Sequence, residues 1–229
     1  MGNEHELTLF GGDEPWKQAD WTASDDRVRG GKSQSYLSPS SSGARFHGTL
    51  DIKTLGGAGF ASQRTTSAST SWDLSAYDGI KIELGKWDRK RYTFILKDEL
   101  LPQDPTNGRE RATISYEYDF TPEIESCAEW NASFVWIPWK SLKPTYRGRE
   151  KKDAPRFDNK TVKRISVMMR SFFGDQEGDF SLTLKSIKAV KIPHDEEKGL
   201  VSGSEKQDSV AQQGQDVRLP MTPDNFYVA

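Results

Sequence analysis

The 229-residue chain is well supplied with arginine and aspartate but holds only three His and one Cys. Nucleophilic catalysis needs a base such as His beside a Ser or Cys, and the three His are scattered. His5 lies near the start, and His194 heads a polar C-terminal stretch. His47 falls in RFHGTL, where a two-residue period turns it to the face opposite Phe46. The lone Cys127 excludes an intramolecular disulfide, and one Cys with three separated His makes no zinc set. Carboxylate pairs occur at Asp25–Asp26 and at Asp73 with Asp78, but glycoside hydrolysis needs a separation of about 5–10 Å that sequence does not fix. Neither Gly30-Gly31 nor GGAGF (56–60) follows a strand and opens a long helix, so neither is a dinucleotide fingerprint. This inventory points away from an enzyme and implies no cofactor.

The polar residues instead gather in clusters. These are DDRVRGGKSQS (25–35), GGAGFASQR (56–64), DLSAYDGIKIEL (73–84) and PTYRGRE (144–150). Arginine pairs bidentately with carboxylates, which gives Asp26, Asp73 and Asp78 as ties between these loops at one end of a domain. Such ties read in two ways: a salt-bridged rim that holds the loops still, or a polar surface for a partner or small polar ligand. The candidate residues are Asp26, Arg27, Arg64, Arg147 and Arg149. Trp139 joins them, because it borders the basic segment 140–160, where eight basic and three acidic residues leave a net +5.

Strands must position these residues. Apolar side chains alternate with polar ones at Phe46, Leu50 and Ile52; at Ile80, Ile82 and Leu84; and at Tyr92, Phe94 and Leu96. The same holds for Ile114 to Phe120, Ile165 to Met169 and Phe180 to Leu184. Short alternating runs separated by Gly, Pro, Asp and Ser predict an all-β antiparallel β-sandwich or barrel. Ile187 and Ala189 have the opposite parity to Phe180–Leu184, which a bulge near Lys185–Ser186 would reconcile. Segments 38–44, 98–111 and 140–160 read as loops, and 71–80 as at most one helical turn before Asp78-Gly79.

Seven Trp, 7 Tyr and 11 Phe supply a core despite an apolar content of 34%. No run approaches the roughly 18 apolar residues of a membrane span. A net charge of −2 gives no pull toward nucleic acid. The first sixteen residues hold four acids and no Lys or Arg, unlike a secretory signal or a mitochondrial presequence, so composition alone points to the cytoplasm. Residues 194–229 carry seven acids and three bases without hydrophobic periodicity. The expected organisation is a flexible N-terminus (1–6), a domain (7–193) and a disordered acidic tail (194–229).

Several blocks occur in order between Trp21 and about Ile192. They are Asp26-Arg27-Val28-x-Gly30-Gly31-x-Ser33, Phe60-Ala61-Ser62-x-Arg64 and Asp73-Leu74-Ser75-x-Tyr77-Asp78-Gly79-Ile80. Arg91-Tyr92, Trp136-Ile137-Pro138-Trp139, Pro144, Arg147-Gly148-Arg149 and Asp158 ahead of Ile165 follow. Together they resemble the complex I intermediate-associated protein 30 family, with Arg29 standing where that family usually has Met. The resemblance implies a jelly-roll, galactose-binding-like β-sandwich related to carbohydrate-binding modules. It also implies a non-catalytic assembly factor, or chaperone, for mitochondrial NADH:ubiquinone oxidoreductase. The implied partners are complex I subunits or other assembly factors, with peripheral association at the inner membrane through them. Two other readings stand beside it: a carbohydrate-binding module using Trp87 and Trp139, and nucleic-acid binding through the basic segment, which the overall charge disfavours.

Overall fold

The expected two-residue alternation is realised as antiparallel strands throughout the computed structural model, which describes residues 5–67, 70–106, 108–122 and 133–192. Cys127 and the expected tail at 194–229 lie outside these residues. The strands among them are β1 (Glu6–Gly11), β2 (Trp21–Ala23), β3 (Gln34–Ser40), β4 (Gly43–Leu50), β5 (Phe60–Thr65), β6 (Gly79–Trp87) and β7 (Tyr92–Lys97). Then come β8 (Ser115–Phe120), β9 (Phe134–Pro138), β10 (Lys143–Tyr146), β11 (Arg149–Glu150), β12 (Arg164–Arg170) and β13 (Gly178–Val190). Among the described residues, helical structure is limited to single 3-10 turns.

Two sheets form. The first is six-stranded in the order β3-β4-β13-β6-β9, with β1 also on β13; the second is seven-stranded in the order β11-β10-β8-β7-β12-β5-β2. β13 is long because it serves three neighbours. Along one edge it pairs with β4 over 178–184 and with β1 over 186–190, and along the other it pairs with β6. Its register against β6 shifts on both sides of Leu184, so Leu184, Ile187 and Ala189 are all buried in spite of their parity. This is the irregularity that the parity change demands.

Between the sheets, Phe46, Ile80, Ile82, Ile137, Leu182 and Leu184 of the first meet Tyr92, Phe94, Leu96, Ile165, Val167 and Met169 of the second, all of them buried. Burial of each such side chain is worth about 2 kcal/mol. The rings interlock: Phe46 lies 5.0 Å from Phe180 and 6.1 Å from Tyr92, edge to face with the latter.

Three local expectations need correction. Segment 38–44 is no flexible connection: Ser38, Pro39 and Ser40 pair with Arg45, Ala44 and Gly43 around a two-residue turn. Serine-rich composition there marks a hairpin. In 140–160, β10 and β11 form a second hairpin, turning at Arg147 (φ 52) and Gly148 (φ 77). Two left-handed residues in succession give the twist that a two-residue hairpin needs. At the N-terminus, β1 begins at Glu6, and the His5 carbonyl accepts the Lys191 N–H at 2.8 Å, so the strand starts one residue before the expected domain boundary.

Candidate functional site

The first polar cluster is built into the scaffold. Asp25 and Asp26 are buried at 4% and 0% exposure at the head of a 3-10 turn. Asp26 accepts the Ser33 N–H (3.1 Å) and hydroxyl (2.7 Å) and the Phe60 N–H (3.1 Å). Asp25 repeats the pattern with the Ser35 N–H (3.1 Å) and hydroxyl (2.6 Å) and the Ser62 N–H (2.9 Å). Two adjacent carboxylates thus fasten β3 to β5 through six donors. A carboxylate with such donors needs no cation beside it. The expected guanidinium ties are absent from this end among the described residues. Arg27 is exposed and reaches Asp25 only at 3.8 Å. Asp73 caps its own turn through the Ser75 N–H (3.0 Å) and hydroxyl (2.6 Å), and Asp78 accepts the Ile192 N–H (2.8 Å).

The remaining candidates are spread apart. Arg147 and Arg149 are exposed on the β10–β11 hairpin at the edge of the second sheet, with the Arg147 guanidinium 5.5 Å over the Tyr146 ring. Arg64 lies on β5, four strands from β10. Trp139 is a packing residue: it donates Nε1–H to the Tyr77 carbonyl at 2.6 Å and sits 5.6 Å from Phe157 against the core. Trp87, the other proposed sugar platform, also packs on the core.

Arg64 belongs to a cluster that motif reading missed, on the outer face of the second sheet. Arg164 on β12 stands directly opposite Lys97 on β7, and Ser166, two residues along, stands opposite Arg64. Residues two apart share a face, so the three cations are neighbours. Glu110, from the segment between β7 and β8, reaches over them. Its Oε1 accepts from Arg164 Nη1 at 2.5 Å and lies 3.3 Å from Arg64 Nη2. Lys97 donates to the Thr113 hydroxyl at 3.1 Å. Further along the face, Arg170 binds Glu117 (2.7 Å) and Asp119 (2.5 Å), which also accept from Thr145 (2.7 Å) and Thr93 (2.6 Å). The face therefore has a carboxylate-rich half around Arg170, with two acids to one cation, and a cation-rich half around Arg164.

Burial decides the electrostatics. Arg164 is 2% exposed although it faces away from the inter-sheet core. Burial, followed by the charge of Arg164, lowers the Arg64 guanidinium pKa, with Glu110 opposing. Burial also lowers Lys97; Glu110 and, to a lesser degree, Glu117 pull the other way, and Arg164 and Arg64 add to the lowering. For Glu110, burial alone would raise the carboxyl, but the Arg164 hydrogen bond and the three positive charges hold it below the ordinary value. The arrangement is suited to recognising anions. Among the described residues no group of His, Cys, Asp and Glu is placed to hold a metal, and no helix is long and apolar enough to cross a membrane. The one sequence signal for this cluster is the cation closing YTFILK and the cations bracketing RISVMMR, at polar positions that alternation assigns to solvent.

Residues 9–184 match the family described as complex I intermediate-associated protein 30. An uncharacterized protein of Schizosaccharomyces pombe is 46% identical over 189 residues, covering 80% of this chain and 84% of the relative. Among solved structures, the fold is similar to a family 11 carbohydrate-binding module from Clostridium thermocellum in complex with a beta-1,3-1,4-mixed-linked tetrasaccharide. That likeness has a TM-score of 0.52 at 13% identity, over 83% of this chain and 98% of the module. The family 11 module of the cellulosomal cellulase Lic26A-Cel5E from the same organism gives 0.52 at 14% identity, over 83% and 97%. At these identities the likeness concerns the jelly-roll fold alone.

Proposed function

The chain belongs to the complex I intermediate-associated protein 30 family, and from that premise we propose that it is a non-catalytic chaperone for the assembly of mitochondrial NADH:ubiquinone oxidoreductase. In this reading it binds immature complex I subunits or other assembly factors, and associates peripherally with the inner membrane through them. The observation that carries the proposal is the match over residues 9–184, which runs from β1 into β13 and so takes in nearly the whole sandwich.

The docking surface we assign is the outer face of the second sheet. Its central strands hold charged side chains in place through packing and hydrogen bonds, and a rigid sheet loses little entropy on binding. Arginine is favoured at such interfaces. Trp87 and Trp139, on which the carbohydrate-binding alternative relies, are half-buried against the core, which supports the protein-docking reading over it.

Affinity capture of the tagged full-length chain from cells tests the reading. Recovery of membrane-arm subunits or assembly proteins is expected, together with mitochondrial localisation and absence from the finished enzyme on native gels. Capture that returns no respiratory-complex subunit or assembly protein would overturn it.

A further inference from the structure

Three cations on adjacent central strands share one carboxylate, and that carboxylate comes from a loop. Like charges at neighbouring cross-strand positions lower the stability of a sheet. Here the Arg164 side chain is 3% exposed and that of Arg64 22%, so solvent screens their repulsion poorly. Stability alone gives no reason to place Arg64, Lys97 and Arg164 together.

Glu110 is a partial answer to them. Both of its contacts fall on the same oxygen, Oε1, whereas a guanidinium pairs best with both oxygens of one carboxylate. The Nε atoms of Arg64 and Arg164, like that of Arg170 further along the face, are buried and have no hydrogen-bond partner among the described residues. Such groups normally find an acceptor. Three positive charges against one negative leave this half of the face at +2.

We propose that Arg64, Arg164 and Lys97 form a receptor for side-chain carboxylates of an acidic segment on a partner protein, which displaces Glu110. The proposal rests on the reading of this face as the docking surface. The Glu110 side chain is 39% exposed on a segment without strand or helix, and such segments move at low cost. The three cations sit on β5, β12 and β7, which are held on both sides by neighbouring strands. The loop therefore yields and the receptor stays. With Glu110 displaced the three cations carry +3, so two carboxylates from one segment would offset most of that charge and three all of it. An acidic peptide fits better than a nucleic-acid backbone, because Glu117 and Asp119 line the same face and repel a continuous run of phosphates.

Calorimetry on the full-length chain tests this, with three probes: a decapeptide of alternating Glu and Gly, its Gln counterpart, and inorganic phosphate. The Glu peptide is expected to bind and the Gln peptide not to. Removing the internal competitor with Glu110→Gln should tighten binding about tenfold, and Arg64→Gln or Lys97→Met should weaken it at least about tenfold. Equal affinity of the wild type and Glu110→Gln for the Glu peptide overturns the proposal. So does phosphate that binds as tightly as the peptide and competes with it, since the site would then take any small anion. Affinity capture separates this failure from that of the assembly reading. Complex I subunits recovered equally by wild type and Lys97→Met overturn the receptor and leave assembly standing. Peptide binding without any recovered subunit leaves the receptor standing and overturns assembly.

Discussion

Ser33 is joined to Asp26 twice, donating its backbone N–H at 3.1 Å and its hydroxyl at 2.7 Å to the two oxygens of one buried carboxylate. The same hydroxyl lies 3.1 Å from the Asp51 N–H, which it accepts, so a single Ser links the start of β3, the end of β4 and the carboxylate that holds β5. The anion is kept in place by dipoles, without a counter-charge.

Asp26→Ala leaves two N–H groups and a hydroxyl without their acceptor in a buried site. It is expected to lower stability by about 3 kcal/mol in urea unfolding. For a domain of this size that is a fall of about 6–12 °C in melting temperature. Asp26→Asn should be nearly as harmful, because its NH2 must face one of those donors. A loss under about 1 kcal/mol would show that the tie is not a main support of this end.

Gly30 and Gly31 should respond differently to alanine. A Cβ on Gly31 would lie 2.2 Å from Asp26 Oδ1, against a side chain that is fully buried and hydrogen-bonded. Gly30 has open space but a φ of +84, which costs an L-residue about 1–2 kcal/mol. Gly31→Ala is expected to be the more destabilising by at least about 1 kcal/mol, measured as paired denaturation curves.

Acid and alkali should expose the two halves of the cation cluster. The folded-state pKa of Glu110 is held below its unfolded value, so its stabilisation is fully present above the unfolded value and is lost as pH falls through the folded one. Wild type should be more stable than Glu110→Gln at pH 7, and the two should converge in acid. Lys97 has the opposite consequence. Its folded pKa lies below the unfolded one, so its charge opposes folding at neutral pH, and the penalty fades as pH rises toward the ordinary lysine value. Lys97→Met is therefore expected not to lower the melting temperature at pH 7, and its advantage should shrink in alkali. A melting temperature lowered at pH 7 and unchanged at pH 10 would contradict this.

Phe173 is fully exposed and left-handed, with φ 63 and ψ 32. Replacing it with glycine removes a backbone cost of about 1–2 kcal/mol and adds about 0.5–1 kcal/mol of chain entropy. Phe173→Gly is expected to match the wild type or exceed it by up to about 1 kcal/mol. Lost capture of partners by a variant of unchanged stability would assign the ring a contact role.

The strands that alternation reveals are those with one face in the core: β4, β6, β7, β8, β12 and most of β13. Even the irregularity within β13 was legible, because Ile187 and Ala189 broke the parity of Phe180 to Leu184. Short strands near the ends of the second sheet, such as β2, β10 and β11, leave no period to read, since two to four residues cannot display one. The candidate cluster was legible only in part. Asp26 and Arg64 stood out by charge, but their partners were assigned by the strength of guanidinium–carboxylate pairing. Asp26 instead takes hydroxyl and backbone donors, and Arg64 takes Glu110, 46 residues away in a segment that reads as surface loop. Lys97 and Arg164 escaped notice because alternation assigns polar positions to water. It cannot tell that a loop lies over that face or that β7 and β12 are neighbours.

β13 is the last strand of the described chain and the middle of its sheet. During translation, β1, β4 and β6 emerge from the ribosome with no common partner, and their hydrogen-bonding edges stay open until 178–190 follow. A nascent chain interrupted before that point would present several unpaired edges at once, an invitation to aggregation. The first sheet thus closes only once 178–190 join it, and truncations within β13 should accumulate as insoluble protein.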